Sequence, residues 1–399
     1  MPAVEFKKVD IIFGDDHNAA LKLLDEGKSR EQILESTGQV LGVADASISV
    51  EMGEICVLMG LSGSGKSTLL RAVNGLNKVT RGNVLVDDGV AVTDVASCDP
   101  TTLRKLRMNS IAMVFQQFAL LPWRTVRENV GLGLELSGVP AMERNQTVSE
   151  KLKMVGLEQW ENKYAHELSG GMQQRVGLAR AFATDANILL MDEPFSALDP
   201  LIRSRLQDEL LDLQNALHKT ILFVSHDLDE ALKIGNRIAI MESGRICQYG
   251  TAEEIVLDPA NQYVADFVAH MNPLSVLRGS TLMTPLGKIE RKEQGLNLDW
   301  SGRYALQVDT ADRITGAFVD GREVKLSHYS ADMDLKAATE DCDILFTASP
   351  DILMKTAIEI RHATGYPVAL IEDGKFVGVI GDDEIYRGML QQSEINQAH

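Results

Sequence analysis

Residues 54–70 read EICVLMGLSGSGKSTLL, and their reading decides the fold. Ile55–Met59 is wholly apolar, as a strand buried on both faces of a parallel sheet must be. GLSGSGKS (60–67) fits GxxxxGK[ST], and KSTLLRAVNGL (66–76) begins a helix. Strand, glycine-rich turn and helix together make a phosphate loop. Gly63 and Gly65 let the backbone wrap closely, so that amides from Gly63 to Thr68 point at phosphates and the helix adds its positive end. Lys66 neutralises the β- and γ-phosphates, and Ser67 ligates Mg²⁺. The expected nucleotide-binding set is Gly60, Leu61, Ser62, Gly63, Ser64, Gly65, Lys66, Ser67 and Thr68.

Three more apolar runs follow: ANILLMDE (186–193), KTILFVSHD (219–227) and RIAIMES (237–243). Helical patterns separate them, and 199–218 places Ile202, Leu206, Leu210, Leu213 and Leu217 on one face. Strands alternating with helices predict an α/β fold with a mainly parallel sheet. Residues 96–165 show no buried-strand run after Phe115 and are expected to form an inserted helical subdomain. Upstream, 14–40 predicts two short helices: one ending at Gly27, one opened by a Ser29/Gln32 capping box and stopped by Gly38. The cluster Asn272-Pro273, Gly279, Pro285 and Gly287 marks a boundary, dividing the chain into 1–277 and 278–399. Beyond it, GAFVDGREV (316–324) echoes ALIEDGKFVGV (369–379), each a strand, an acidic-Gly turn and a second strand.

Ending an apolar strand in two acids is costly unless they serve a cation or a reaction. In ILLMDEP (188–194), Asp192 is the expected Mg²⁺ ligand and Glu193 the general base that activates water. SHD (225–227) puts His226 within reach of a γ-phosphate. A second Gly-Gly pair opens ELSGGMQQRVGLARA (167–181) but lacks the Lys and Ser/Thr that would complete a phosphate site.

Composition narrows the classes. The 399-residue chain is 45% apolar, enough for two domains with large cores. Its net charge of −18 disfavours non-specific nucleic-acid binding. Four scattered cysteines without a CxxC pair suit a reducing cytosol. No apolar run reaches a membrane-spanning length, and the first residues, MPAVEFKKVDIIFG, lack a signal-peptide pattern.

The phosphate loop, VFQ (114–116), LSGGM (168–172), ILLMDEP, SALD (196–199) and SHD occur in the order and spacing of ATP-binding-cassette (ABC) ATPases. Residues 4–270 resemble that family. The resemblance implies that Ser169, Gly170 and Gly171 contact ATP held by a second copy, the nucleotide being sandwiched in a head-to-tail homodimer. It implies that Gln116 senses the γ-phosphate, joins Ser67 and Asp192 at the metal and couples to membrane subunits, and that Asp199 links the two sites. Phe13 is the nearest match to the adenine-stacking aromatic. Phe118 and Trp123, beside Gln116, suit either core packing or a groove for a permease helix.

MGLSGSGKSTLLRAVNGL, VFQQFALLPWRTV, EPFSALDPLIR and FVSHDLDEALKIGNRIAIM look very like ATPase subunits of quaternary-amine importers, which carry glycine betaine, proline betaine or choline. The VFQQFALLPW form leans towards choline. Such a subunit sits on the cytoplasmic face of the inner membrane. It works with integral membrane permease subunits and, indirectly, a periplasmic or lipid-anchored substrate-binding protein. Its tail is commonly a pair of cystathionine-β-synthase-type (CBS) modules. Here 351–390 is similar to one module, while 290–350 matches poorly, leaving regulation and dimerisation both open. An ABC ATPase working on DNA or ribosomes would need long coiled coils or a second cassette, and a P-loop kinase would not need LSGGM.

Overall fold

The computed structural model describes residues 2–116, 119–196, 198–269, 274, 276–292, 295–330, 333, 335 and 343–388. The chain divides into two compact units, Met1–Val264 and Ala265–His399. Asn272, Pro273 and Phe118 lie outside the described residues.

In the first unit the strands are β1 (Pro2–Phe13), β2 (Val40–Glu51), β3 (Ile55–Met59), β4 (Arg81–Asp87), β5 (Val92–Asp94), β6 (Ile111–Val114), β7 (Ile188–Asp192), β8 (Thr220–Val224), β9 (Arg237–Glu242) and β10 (Arg245–Gly250). The helices are α1 (His17–Asp25), α2 (Arg30–Thr37), α3 (Lys66–Leu70), α4 (Pro100–Asn109), α5 (Val126–Val130), α6 (Leu132–Leu136), α7 (Ala141–Met154), α8 (Gly170–Ala183), α9 (Pro200–Leu217), α10 (Leu228–Ile234) and α11 (Ala252–Leu257). A central sheet has the order β10-β9-β3-β8-β7-β6, parallel from β9 to β6, with β10 antiparallel at one edge. β3, β7 and β8 are buried along their whole length, which explains their unbroken apolar runs. A second, antiparallel sheet, β2-β1-β4-β5, shares one core with it: Val4, Phe6 and Ile11 join Leu58, Leu69 and Leu222.

The two helices of the insertion form as their sequence predicts. Ser29 and Gln32 exchange both bonds of a capping box, and Gly38 ends α2 in the left-handed region at φ 70°. Three expectations need correction. The stretch 96–165 is not helical throughout, because β6 is a strand of the central sheet; only four residues long and at the edge, it leaves a weak periodic signal. The helical subdomain also runs further, since α8 shares the core of α5 and α7 through Val176 and Ala179. On α9, Leu206 and Leu210 are buried but Leu217 is exposed. Gln207 and Gln214 take the remaining buried places because each has a polar partner inside: Glu230 for Gln207, the Gly53 carbonyl for Gln214.

The second unit carries a nine-stranded sheet. Its strands are β11 (Thr284–Pro285), β12 (Arg291–Lys292), β13 (Gly295–Asn297), β14 (Tyr304–Val308), β15 (Ile314–Val319), β16 (Arg322–His328), β17 (Ile344–Ala348), β18 (Val368–Glu372) and β19 (Lys375–Ile380). From β12 to β16 they run antiparallel; β16-β17 and β17-β18 are parallel. The two echoing segments become equivalent hairpins, β15-β16 and β18-β19. Each turns on an Asp-Gly pair with both residues at positive φ: Asp320 at 48° and Gly321 at 76°, Asp373 at 49° and Gly374 at 77°. That is the mirror-image two-residue turn whose twist matches the strands it joins. Gly374→Ala is expected to lower the stability of the chain by about 1 kcal/mol, because only glycine holds the left-handed region without strain. Urea titration followed by circular dichroism checks it.

Candidate functional site

Four strands of the central sheet end at one edge, and each delivers one part of the site. β3 runs into the glycine-rich loop, β6 leads to Gln116, β7 ends at Asp192 and Glu193, and β8 leads to His226. The carboxyl edge of a parallel sheet is where such folds hold their ligands.

The loop is shaped by what its glycines allow. A Cβ on Gly60 would lie 2.1 Å from the Met241 carbonyl oxygen, and one on Gly65 would lie 2.4 Å from the Gly42 carbonyl oxygen. Both glycines also hold positive φ, 138° and 101°. Lys66 is buried and bends back across the loop, where its Nζ donates to the Gly60 and Leu61 carbonyls at 2.9 and 3.0 Å. Burial pushes its ammonium below the usual lysine range, against the pull of the Glu193 and Asp192 carboxylates. Ser64 Oγ is buried without a hydrogen-bond partner among the described residues, leaving an unused donor in the loop.

Asp192 is completely buried. Ser67 Oγ donates to its Oδ1 at 2.7 Å, and Arg71 donates twice to its Oδ2, at 2.8 and 3.2 Å. Arg71, which no motif singled out, follows Ser67 by one helical turn. The oxygens of Ser67 and Asp192 are hard donors of the kind Mg²⁺ takes. The described residues contain no group of three or more His, Cys, Asp or Glu able to hold a metal by themselves. A Mg²⁺ bound here would therefore need further oxygen ligands beyond Ser67 and Asp192, from phosphate, water or a neutral side chain.

Glu193 has φ 48°, a strained value for a non-glycine residue. Its backbone is held there from both ends. Its N–H donates to the Val224 carbonyl at 3.1 Å, and its carbonyl accepts from Gln174 Nε2 and Ser196 Oγ at 3.3 and 3.0 Å. The carboxylate Oε2 lies 2.9 Å from Gln116 Nε2 and 3.3 Å from His226 Nδ1. Glu193, Gln116 and His226, named separately from sequence, thus meet at one point. Gln116 turns towards Glu193 and makes no hydrogen bond to Ser67 or Asp192 among the described residues.

Phe13 ends β1 and is 41% exposed. A Cβ on Gly42 would come within 2.7 Å of the Phe13 ring and 3.1 Å of Thr68 Cγ2, so the ring lies beside the start of α3. From the insertion, Arg30 Nη1 donates to the Gly63 carbonyl at 2.6 Å, tying α2 to the glycine-rich loop. The sequence carried no signal for that contact.

Ser169 caps α8, its hydroxyl accepting from Met172 N at 3.4 Å. A Cβ on Gly170 would meet nothing within 4 Å. Among the described residues no hydrogen bond joins Ser169, Gly170 or Gly171 to the glycine-rich loop. Asp199 caps α9 through Ile202 N at 3.1 Å and is otherwise exposed. Trp123 is 71% exposed, which removes it from the core. Nearby, an apolar groove of about 360 Å³ is lined by Leu76, Met113, Phe115, Leu132, Leu136 and Arg180.

Known proteins resemble this chain. The family model described as ABC transporter matches residues 43–196. The glycine betaine transport ATP-binding protein OpuAA of Bacillus subtilis is 44% identical over 93% of this chain and 88% of its own length. The glycine betaine/proline betaine transport system ATP-binding protein ProV of Escherichia coli is 43% identical over 97% of both chains. The trimethylamine N-oxide transport system ATP-binding protein TmoW of Ruegeria pomeroyi is 45% identical over 70% of this chain and 81% of its own. Among solved structures, an ATP-binding cassette captured as a dimer in a post-hydrolysis state with ADP and Pi superposes with a TM-score of 0.54. It has 31% identity and covers 62% of this chain and 98% of that one.

Gly60→Ala is expected to abolish nucleotide binding while leaving a folded chain, because the added methyl collides with backbone rather than with a movable side chain. Titration with a fluorescent ATP analogue, beside a thermal melt, checks both halves.

Proposed function

We infer the function from one premise: the chain belongs to the family of ABC transporter ATP-binding subunits, among those that serve glycine betaine uptake. It is an ATPase that energises the import of a quaternary amine. The observation that carries this at the site is the meeting of Glu193, Gln116 and His226 beside the Lys66 loop. Relatives named for betaines, carnitine and trimethylamine N-oxide define the solute class. Partner chains would choose among its members.

Two copies of the chain would bind two ATP molecules head to tail. In each site the 63–68 amides and the start of α3 receive the phosphates, and Lys66 exchanges the Gly60 and Leu61 carbonyls for β- and γ-oxygens. Phe13 offers its exposed ring to the adenine. Mg²⁺, held by Ser67, Asp192 and Gln116, supplies charge neutralisation at those oxygens when bound. Glu193 takes the proton of the attacking water, and His226 steadies the γ-phosphate. The second copy closes the site with Ser169, Gly170 and Gly171, and its Asp199 connects the two. The open space around Gly170 supports this reading: nothing among the described residues requires a glycine there, and the space leaves room for a phosphate approaching from outside. ATP drives the cycle by binding the closed pair better than the open one.

No helix among the described residues is long and apolar enough to cross a membrane, so transport requires separate permease subunits. The groove by Phe115, Leu132 and Leu136 suits an apolar helix from such a subunit, and would hold the chain at the cytoplasmic face of the inner membrane. A periplasmic or lipid-anchored binding protein would deliver the solute. The tail, 278–399 after the ATPase domain 1–277, is read as CBS-like. Its second half supports this with a helix (Met354–Thr364), the β18-β19 hairpin and helical residues 382–388. The antiparallel meander β12–β16 departs from that pattern and suits a degenerate first module.

Glu193→Gln is expected to keep ATP binding, lose turnover and form an ATP-dependent dimer visible by gel filtration; a variant that stays monomeric at micromolar concentration defeats the two-chain site. In the complex reconstituted with its permease, a quaternary amine is expected to stimulate ATP hydrolysis. Assaying betaines, carnitine and choline side by side identifies the solute.

A further inference from the structure

The Glu230 carboxyl is buried behind the His226 turn, and the chemistry above does not use it. Two side chains hold it. Ser225 Oγ donates to its Oε2 at 2.5 Å, and Gln207 Nε2 on α9 donates to its Oε1 at 3.0 Å. Ser225 Oγ also accepts from the Asp227 N–H at 2.9 Å, which closes the turn that carries His226. The turn is tied to α9 a second time: Arg203 Nη1 donates to Asp227 Oδ2 at 3.2 Å, while Arg203 Nη2 donates to the Leu198 carbonyl at 3.2 Å. A third tie follows on α10, where Lys233 pairs with Asp208 at 2.7 Å.

These bonds converge on one element. α9 runs for 18 residues and is capped by Asp199, and Leu198 and Asp199 belong to the SALD stretch. Burial pushes the Glu230 carboxyl above the usual range, while Ser225 and Gln207 pull it back. A carboxylate in such a place costs stability, and an apolar side chain of the same size would cost less. Its geometry accounts for its presence better than its energy does: with an acceptor at each end, it is the buried one of three ties that join α9 to the segment carrying His226.

We propose that Glu230 is a positioning residue for hydrolysis, which with Gln207 and Ser225 locks the His226 turn to α9 so that the second nucleotide, engaging Asp199 at the head of α9, sets His226 at the first. This rests on the two-chain reading above. A helix transmits displacement along its axis because each turn is hydrogen-bonded to the next. Three attachments between α9 and the segment 225–233 carry that displacement to His226. Coupling arises because α9 and the His226 turn share one position in the open pair and another in the closed pair.

The test uses steady-state hydrolysis by the full-length chain. Glu230→Gln keeps the size of the side chain but replaces a carboxylate that accepts at both ends with one acceptor and one donor. It is expected to lower kcat on the order of ten-fold and move the Hill coefficient for ATP towards one, with KM within about two-fold. Adding Gln207→Glu exchanges carboxyl and amide and is expected to restore both. Gln207→Leu, which removes one donor from α9, is expected to reproduce the loss. A Glu230→Gln chain with unchanged kcat and Hill coefficient overturns the proposal. So does one whose melting temperature falls while its cooperativity stays, since that marks a structural pin alone. Dimer formation in the Glu193→Gln background separates the two failures. If the ATP dimer forms while Glu230→Gln changes nothing, Glu230 alone is misassigned; if no dimer forms, the two-chain reading falls and takes this proposal with it.

Discussion

A fully buried carboxylate at the end of an apolar strand governs the architecture of the nucleotide site. Asp192 cannot sit at the tip of β7 without partners, and its partners come from the helix that follows the glycine-rich loop. Ser67 and Arg71 therefore fix α3 against β7 across a sheet in which β3 and β7 are not neighbours; β8 lies between them. With α3 fixed, the loop before it is fixed, and so is the backbone cradle for phosphate. With β7 fixed, the next residue, Glu193, is forced into its left-handed conformation and aimed at Gln116 and His226. Leaving such a charge buried and unpaired would cost several kcal/mol. The same bonds that satisfy it thus define the distance between the glycine-rich loop and the Glu193 carboxylate.

The remaining parts divide between rigid and movable. The loop, Asp192 and the backbone of Glu193 are held by buried bonds within the sheet edge. Gln116 and Ser169 stand on a turn and a helix cap with few bonds of their own, and His226, though its turn is tied down, has a side chain 62% exposed. Groups that must respond to a nucleotide come from that second set, as the low-stability parts of a fold generally do. α2 adds a contact outside this scheme, since Arg30 brings the insertion onto the loop at Gly63.

Much of this was legible in the residues. Runs such as Ile188–Asp192 announce strands buried on both faces, because a parallel sheet covered by helices tolerates nothing else. The phosphate loop, the Asp-Glu pair and the capping box at Ser29 each have a local physical cause, and local causes are written in local sequence. The less legible parts depend on distance. β6 is an apolar run of four residues at the sheet edge, set between helices, and its place in the central sheet depends on β7 beside it. The true inner face of α9 is set by Glu230 and Gly53, which approach from elsewhere in the chain. Arg71 and Arg30 find their roles only once β7 and the loop have folded beside them. The hairpin echo at Asp320-Gly321 and Asp373-Gly374 lies between these cases: the turn is local and readable, but the sheet that joins the two hairpins is not.

The empty space around Gly170 has a genetic consequence. If that glycine serves a nucleotide bound by the other copy, a lesion there disables the neighbour's site rather than its own. A chain defective at Lys66 and a chain defective at Gly170 would each be inactive as pure dimers. Mixed together, they would form hybrids in which both lesions fall on one site and leave the other whole. Two dead alleles of one gene would then complement each other, and a single defective allele would spoil half of the sites built with its healthy product.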